Sequence, residues 1–282
     1  MRVEKRNMRR VLVALLGAMA LGTGASALTG SSALDDARAQ AIKVVVQIQR
    51  ADYEGDRAAL KQLPLKLLPF IENKELAARV RYWRGFAFWR RAINGFNETP
   101  TPTDLEEDLQ RAVEEFETSA TRDPGFADAK IAMASSLGYL LYLHQKDQDQ
   151  VQAYVARIRP MLTDVRASAP NNPRLYWVLG PMYWSRPVAS GGGQDKAFEA
   201  YQKGLDAVRL QHQRSASDPL DPAWGEPELL MNRAWSNLNR TTPDLDAAEQ
   251  DARAALQLVP YWHYVRDILM PQIQAAKTEA RK

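Results

Sequence analysis

The residues best suited to metal binding or acid–base catalysis in this sequence are its three histidines, and their spacing argues against both. His144, His212 and His263 lie far apart along the chain, and cysteine is absent. Zinc sites need several such ligands close together, and a thiolate nucleophile or a disulfide bond needs cysteine. We therefore expect no bound metal, no cofactor and no disulfide bond.

A glycine run and two acidic runs are the other patterns that could carry chemistry. Gly191–Gly193 lacks the spacing of a phosphate-binding loop and follows no predicted strand, so we interpret it as a turn between helices. The acidic pairs near Glu106 and Glu114 lie on a predicted amphipathic helix, where acids usually form the solvated face. No enzyme motif remains, and we predict that the protein is not an enzyme.

The positive charge of the chain is concentrated at its N terminus. The 282 residues carry a net charge of +3, but residues 1–27 hold five basic residues and one acidic residue. The remaining chain has a net charge of −1. A basic surface is the electrostatic requirement for nucleic-acid binding. Because the excess charge belongs to the first 27 residues, we expect no nucleic-acid partner.

Residues 1–27 have the three parts of an export signal. Basic residues end at Arg9–Arg10, an apolar run extends from Val11 to Leu21, and Ala25–Ala27 has the small residues of a cleavage site. The apolar run is too short to span a membrane. We predict a cleaved signal peptide at residues 1–27, a linker at 28–32, no transmembrane span in the mature chain, and a periplasmic or secreted location.

From Ala33 onward the sequence is helical in pattern and contains an internal repeat. The clearest unit begins at Pro173. Its first helix reads Tyr176-x-x-Leu179-Gly180-x-x-Tyr183, and its second reads Ala197-x-x-x-Tyr201-x-x-Gly204. This unit resembles the tetratricopeptide (TPR) repeat, in which small residues let two helices approach closely and large residues fill the gaps beside them.

Three further segments repeat parts of this pattern. Ala112–Ser119 and Ala248–Leu256 match its second helix, whereas Ala127–Pro170 is a poor copy because Arg157 and Pro160 occupy positions of a large and a small residue. Leu179-Gly180, the loop 191–197 and the segment 222–225 together resemble exported bacterial TPR proteins. We predict an all-α, TPR-like helical-hairpin solenoid over residues 33–282, with degenerate repeats and a C-terminal capping helix from Tyr261.

The TPR resemblance implies a concave groove lined by the first helices of successive repeats. Aromatic side chains are frequent at the positions that would face it. The predicted binding residues are Arg79, Tyr82, Trp89, Arg174, Trp177, Trp184, Trp235 and Asn239. An alternative interpretation is that the long inserted loops fold over the groove and that the aromatic rings are core, since tryptophan is highly buried on average.

The resemblance implies a binding protein. We predict a protein-binding or scaffolding module that presents the aromatic-rich groove to a segment of a protein partner, with Arg79 or Arg174 meeting a carboxylate. A small apolar ligand would also suit such a groove. The alternative function is a periplasmic small-ligand-binding protein associated with a transport system.

Overall fold

A computed structural model describes residues 24–99, 104–213 and 218–281, and these ranges contain helices and no strand. The α-helices are α1 (Gly24–Glu54), α2 (Arg57–Gln62), α3 (Ala77–Glu98), α4 (Leu105–Arg122), α5 (Ala127–Leu143), α6 (Gln148–Ser168), α7 (Pro173–Ser185), α8 (Gln194–His212), α9 (Glu226–Asn239), α10 (Leu245–Leu258) and α11 (Met270–Glu279). Two 3₁₀ helices, Leu63–Phe70 and Val188–Ser190, and a π-helix, Tyr264–Leu269, complete the secondary structure of the described chain.

Consecutive helices pack as hairpins. The pairs are α3 with α4, α5 with α6, α7 with α8, and α9 with α10. Close backbone packing also joins one hairpin to the next where α4 meets α5 and where α8 meets α9, but among the described helices α6 and α7 are not joined in this way. The helix pairs coincide with the repeats predicted from the sequence, and the all-α, TPR-like helical solenoid is confirmed.

The helix boundaries follow from local sequence signals. Asn172 caps α7 by accepting a hydrogen bond from the backbone N–H of Arg174, and Pro173 occupies the first helical position, where no N–H is needed. Asp244 caps α10 by accepting from the N–H of Ala247. These short polar residues satisfy backbone donors that a helix start would otherwise leave unpaired, so each begins its helix at a defined residue.

Glycines in the hairpins allow close helix packing, as the repeat pattern predicts. A Cβ atom added to Gly180 on α7 would overlap the Tyr201 ring on α8. A Cβ at Gly85 on α3 would lie 2.9 Å from the Phe116 ring on α4. Both rings are almost fully buried, so each aromatic side chain occupies the space that the missing Cβ leaves.

The two ends of the described chain differ in part from the sequence prediction. Most of the predicted signal peptide lies outside the described residues. Residues 28–32, predicted as a linker, are instead helical within α1; they contain no proline, and a single glycine, Gly30, does not end a helix. The compact unit that contains the helix hairpins begins at Ala41. At the C terminus, the predicted capping helix consists of the π-helix and α11. No helix among the described residues is long and apolar enough to cross a membrane.

Candidate functional site

The predicted groove is filled by the chain's own side chains. Trp89 on α3 and Trp177 on α7 contact each other, with ring centroids 5.4 Å apart. Trp224, from the connection between α8 and α9, packs 5.8 Å from Trp89 and 5.4 Å from Trp177. Its indole N–H donates a hydrogen bond of 2.9 Å to the Tyr82 hydroxyl. Tyr82 and Trp89 are fully buried and Trp177 is 5% exposed, so a partner has no access to these three predicted binding residues in this conformation.

Residues 218–225, which we call the groove loop, are fixed to the helices by hydrogen bonds. The indole N–H of Trp83 donates to the Leu220 carbonyl at 2.8 Å, and the Arg174 guanidinium donates to the Trp224 carbonyl at 2.8 Å. The side chains of Leu220 and Trp224 are 1% and 6% exposed. Because buried carbonyl groups require donors, these bonds let the loop form part of the core. For Tyr82, Trp89 and Trp177, the structure has the arrangement of the alternative interpretation, in which an inserted loop covers the rings.

Arg79 and Arg174 are already paired with carboxylates of this chain. Arg79 donates to Asp221 of the groove loop at 2.6 Å and to Asp123 at 2.5 Å. Arg174 is buried and pairs with Asp128 on α5. Breaking a buried ion pair leaves a charge without compensation, so these arginines stabilise the groove loop and the α5–α7 contact rather than offering a free cation to a partner.

The other three predicted binding residues keep some exposed surface. Trp184 at the end of α7 and Trp235 on α9 are half-buried, with ring centroids 5.5 Å apart. Asn239 is exposed, and its side-chain amide donates to the Trp235 carbonyl at 2.8 Å. The binding role of these residues stays a prediction, and the structure brings the three together on one surface, apart from the buried cluster around Trp224.

A buried polar cluster joins α1 to α3 and α9. Arg90 on α3 donates to Asp52 at 2.8 Å, and the Asn94 amide donates to the same carboxylate at 3.1 Å. The Tyr53 hydroxyl donates to Glu228 at 2.6 Å. Burial raises the pKa of Glu228 above its ordinary value, an effect that the hydrogen bond from Tyr53 opposes. Sequence reasoning did not assign α1 this role, because the partners are far apart in the chain.

A depression of the described surface lies beside the groove loop and has a volume of about 1090 Å³. Its walls come from α1, the ends of α8 and α10, and the turns before α5, α7 and α9. Three apolar side chains of this wall are exposed: Val46 (57%), Leu258 (49%) and Tyr261 (37%). Exposed apolar side chains grouped around a depression are typical of interaction sites. Two predicted binding residues, Arg79 and Arg174, also line this depression, whereas its exposed apolar side chains come from segments that no local sequence pattern connects.

The described structure does not bring the three histidines together in a metal site. Each lies near acidic groups at the surface: His144 at 3.0 Å from Glu106, His263 at 2.8 Å from Asp267, and His212 at 3.7 Å from Glu226. Within the described ranges, no group of three or more His, Cys, Asp or Glu side chains is arranged to hold a metal ion.

Paired helices with close glycine contacts and a continuous core define a TPR-like helical solenoid. Its structure is similar to the crystal structure of a thermophilic TPR protein from Thermus thermophilus, with a TM-score of 0.54 and 16% sequence identity. The alignment covers 86% of this chain and 99% of that protein. No protein-family profile and no curated protein sequence matches the chain. The similarity establishes the fold alone.

Proposed function

We propose that this protein is an exported, non-catalytic interaction module that binds an extended segment of a protein partner in the 1090 Å³ depression. The observation that supports this choice of surface is the filled groove. Because Trp224 and the rest of the groove loop cover the aromatic rings of the first helices, a partner segment needs another concave surface, and the depression beside the loop offers one.

The chemistry of the depression suits a peptide. Val46, Leu258 and Tyr261 supply apolar contacts, and the Arg50 guanidinium lies 5.0 Å from the centroid of the Tyr261 ring. Polar side chains between them, including Gln49 and Asn171, suit hydrogen bonds to a peptide backbone. A wall of this kind combines a few apolar anchors with polar groups around them, which is the usual composition of a protein-interaction surface.

Export is part of the same proposal. It is supported by the order of basic residues, apolar run and small residues in positions 1–27. N-terminal sequencing of the protein recovered from its native cells tests it: cleavage after Ala27 gives a mature chain that begins at Leu28. An intact N terminus in the cytoplasmic fraction would contradict the export proposal without affecting the interaction surface.

Site-specific photo-crosslinking in the native cells tests the interaction surface. A photoreactive phenylalanine derivative at Val46, which is 57% exposed in the depression, is expected to give one discrete crosslinked partner. The control is the same derivative at Val188, which is 78% exposed but lies outside the depression. The adduct should form at Val46 and not at Val188.

A second variant makes the crosslinking result specific to the depression. Leu258→Glu places a charge on the part of the wall that α10 contributes, where the side chain is 49% exposed, so the fold is expected to be retained. We expect the Val46 adduct to disappear in this variant while its thermal midpoint stays unchanged. Equal crosslinking from both positions, or an adduct that survives Leu258→Glu, would show that the partner does not occupy this depression.

A further inference from the structure

A cleft separates α6 from α7, at the one junction between hairpins where the repeat departs furthest from its pattern. On α6, Arg157 and Pro160 occupy positions that the pattern gives to a large and a small residue. This helix of 21 residues buries only Ile158, Leu162 and Val165. Since α6 and α7 lack the close packing that joins the other described hairpins, the apolar side of α6 is left partly uncovered.

The cleft has a volume of about 750 Å³ and an apolar interior. The apolar side chains that line it are Leu141 on α5, Val155, Ile158 and Leu162 on α6, and Leu179 and Met182 on α7. Gly138 on α5 also lines it, and a Cβ atom added there would have no neighbour within 4 Å. The space beside Gly138 is therefore open, in contrast to the space beside Gly180, where an added Cβ would overlap an aromatic ring.

Three arginines stand at the cleft, and no acidic residue is among the residues that line it. Arg159, Arg166 and Arg186 are all exposed. Arg166 donates a hydrogen bond of 3.3 Å to the Tyr183 hydroxyl across the cleft. In the described chain, none of the three has a carboxylate within ion-pairing distance, although most of the described arginines do, including the neighbouring Arg157 with Glu117 at 3.3 Å.

We propose that the α6–α7 cleft binds a single-chain anionic amphiphile, such as a fatty acid. The apolar interior would hold the hydrocarbon chain, and the three arginines would pair with the carboxylate at the mouth. A volume of about 750 Å³ lies in the range of small-molecule sites, which combine an apolar lining with a few polar groups that fix orientation. Arginine is well suited to carboxylates because its guanidinium donates two parallel hydrogen bonds.

The charge of the cleft selects this class of ligand. A cationic amphiphile would be repelled by the three arginines, and an apolar ligand without a head group would gain nothing from them, because exposed guanidinium groups stay hydrated. A carboxylate can pair with the arginines nearest to it while its hydrocarbon chain remains among the apolar side chains. This site shares no lining residue with the 1090 Å³ depression, so it stands independently of the peptide-binding proposal.

Calorimetry with two probes of similar chain length tests the charge selection. Laurate and dodecyltrimethylammonium have hydrocarbon chains of nearly the same length and differ in the sign of the head group. Titrated below their micelle concentrations into the full-length mature protein, laurate should bind at one site per chain and dodecyltrimethylammonium should bind at least about tenfold more weakly. Equal affinities, or no laurate binding, would overturn the proposal.

Two variants locate the site. Arg159→Ala combined with Arg186→Ala removes two exposed cations and should weaken laurate binding by about tenfold or more, since each paired charge contributes strongly to affinity. Gly138→Leu fills the open space and should weaken laurate binding through a steric effect that leaves the charges intact. The matched control is Arg157→Ala, which removes an exposed arginine of the same helix that does not line the cleft.

The outcomes separate the proposed ligand from other occupants. Loss of binding in both variants, with Arg157→Ala unchanged and all circular dichroism spectra alike, is the expected result. Laurate affinity that is the same in every variant would overturn the proposal by placing the ligand elsewhere. An acidic amphipathic peptide that binds the cleft more tightly than laurate, and displaces it, would also overturn it by identifying a peptide as the occupant.

Discussion

The groove side and the α6–α7 cleft are built from the same kind of helix hairpin, yet one is filled and the other is open. On the groove side, Trp224 packs between Trp89 and Trp177 and donates to Tyr82, so that no ring of the cluster is more than 6% exposed. In the cleft, a volume of about 750 Å³ remains between apolar walls. In this protein the rings of Tyr82, Trp89 and Trp177, which the repeat pattern marks for binding, are therefore part of the core.

The difference arises from the connections and from the quality of each repeat. The groove is filled because the segment between α8 and α9 is long enough to bring Leu220 and Trp224 back onto α3 and α7. At the cleft, α6 departs from the repeat at Arg157 and Pro160, and α6 and α7 lack the close backbone packing that joins the other described hairpins. In one region an inserted connection adds side chains to the helices, and in the other the helices themselves pack less closely.

The largest expected effect is the loss of Trp224. Trp224→Ala removes a ring that contacts three other aromatic side chains and a donor to the Tyr82 hydroxyl, and it should lower the free energy of unfolding by about 3–5 kcal/mol. Urea denaturation measures this change. Trp184→Ala is the matched control, and it should cost clearly less because Trp184 is half-buried and packs at the edge of the fold. Equal losses in the two variants would contradict the contrast between a core ring and a surface ring.

The second effect is steric and tests the tight packing of the α7–α8 hairpin. Gly180→Ala places a methyl group against the ring of Tyr201, which is 2% exposed and cannot move without disturbing its neighbours. We expect a loss of about 1–3 kcal/mol in the free energy of unfolding, despite the better helix propensity of alanine. The measurement is again urea denaturation, and an unchanged midpoint would show that the hairpin can separate at little cost.

The hairpins could be predicted well from the sequence because their determinants are local. Gly180 and Tyr201 lie in register within one repeat, and Asn172 and Asp244 mark helix starts by hydrogen bonds to nearby backbone. The position of Trp224 could not be predicted in this way. Its hydrogen-bond partner, Tyr82, is 142 positions away, and a loop has no periodicity from which its contacts follow. Composition supported only the general alternative, that inserted loops cover the rings.

The exposure of the predicted binding residues was predicted less well for the same reason. Trp184, Trp235 and Asn239 remain at the surface, whereas Tyr82, Trp89 and Trp177 are covered by a segment whose path depends on tertiary packing. The poor match of α6 to the repeat was visible in the sequence. The convergence of three arginines on the resulting cleft was not, because they come from α6 and from the residue after α7.

The third expected effect is a pH dependence of the free energy of unfolding that arises from the buried Glu228. Glu228 is buried against Tyr53, and it also faces Arg90 and Asp52; burial raises its pKa above the ordinary value of 4.5. Because the pKa of Glu228 is raised in the folded state, the folded protein binds this proton more tightly than the unfolded chain does. The contribution of Glu228 to stability is therefore complete below pH 4.5 and is lost as the pH rises through the folded pKa. The free energy of unfolding of the native protein should therefore fall, relative to that of Glu228→Gln, between about pH 4 and pH 8.

Urea denaturation at several pH values measures the Glu228 effect, and Glu249 provides the control of opposite sign. The pKa of Glu249 is lowered to about 2, first by its hydrogen bond from Lys277, so its contribution is present above pH 4.5 and lost only as the pH falls toward 2. Glu249→Gln should leave the pH dependence between about pH 5 and pH 8 unchanged. A Glu228→Gln curve parallel to the native one over this range would mean that burial does not shift this carboxyl.

The smallest expected effect is a gain in the free energy of unfolding, from a substitution in the α6–α7 cleft. Gly138→Ala adds a methyl group that has no neighbour within 4 Å, so no steric cost opposes the gain in helix propensity within α5. We expect the free energy of unfolding to rise by about 0.5–1 kcal/mol. The same substitution at Gly180 should lower it, so the pair reports whether each helix junction is open or filled. If Gly138→Ala destabilises the protein in urea denaturation, α6 and α7 close over this position in solution and the cleft is not a permanent feature of the fold.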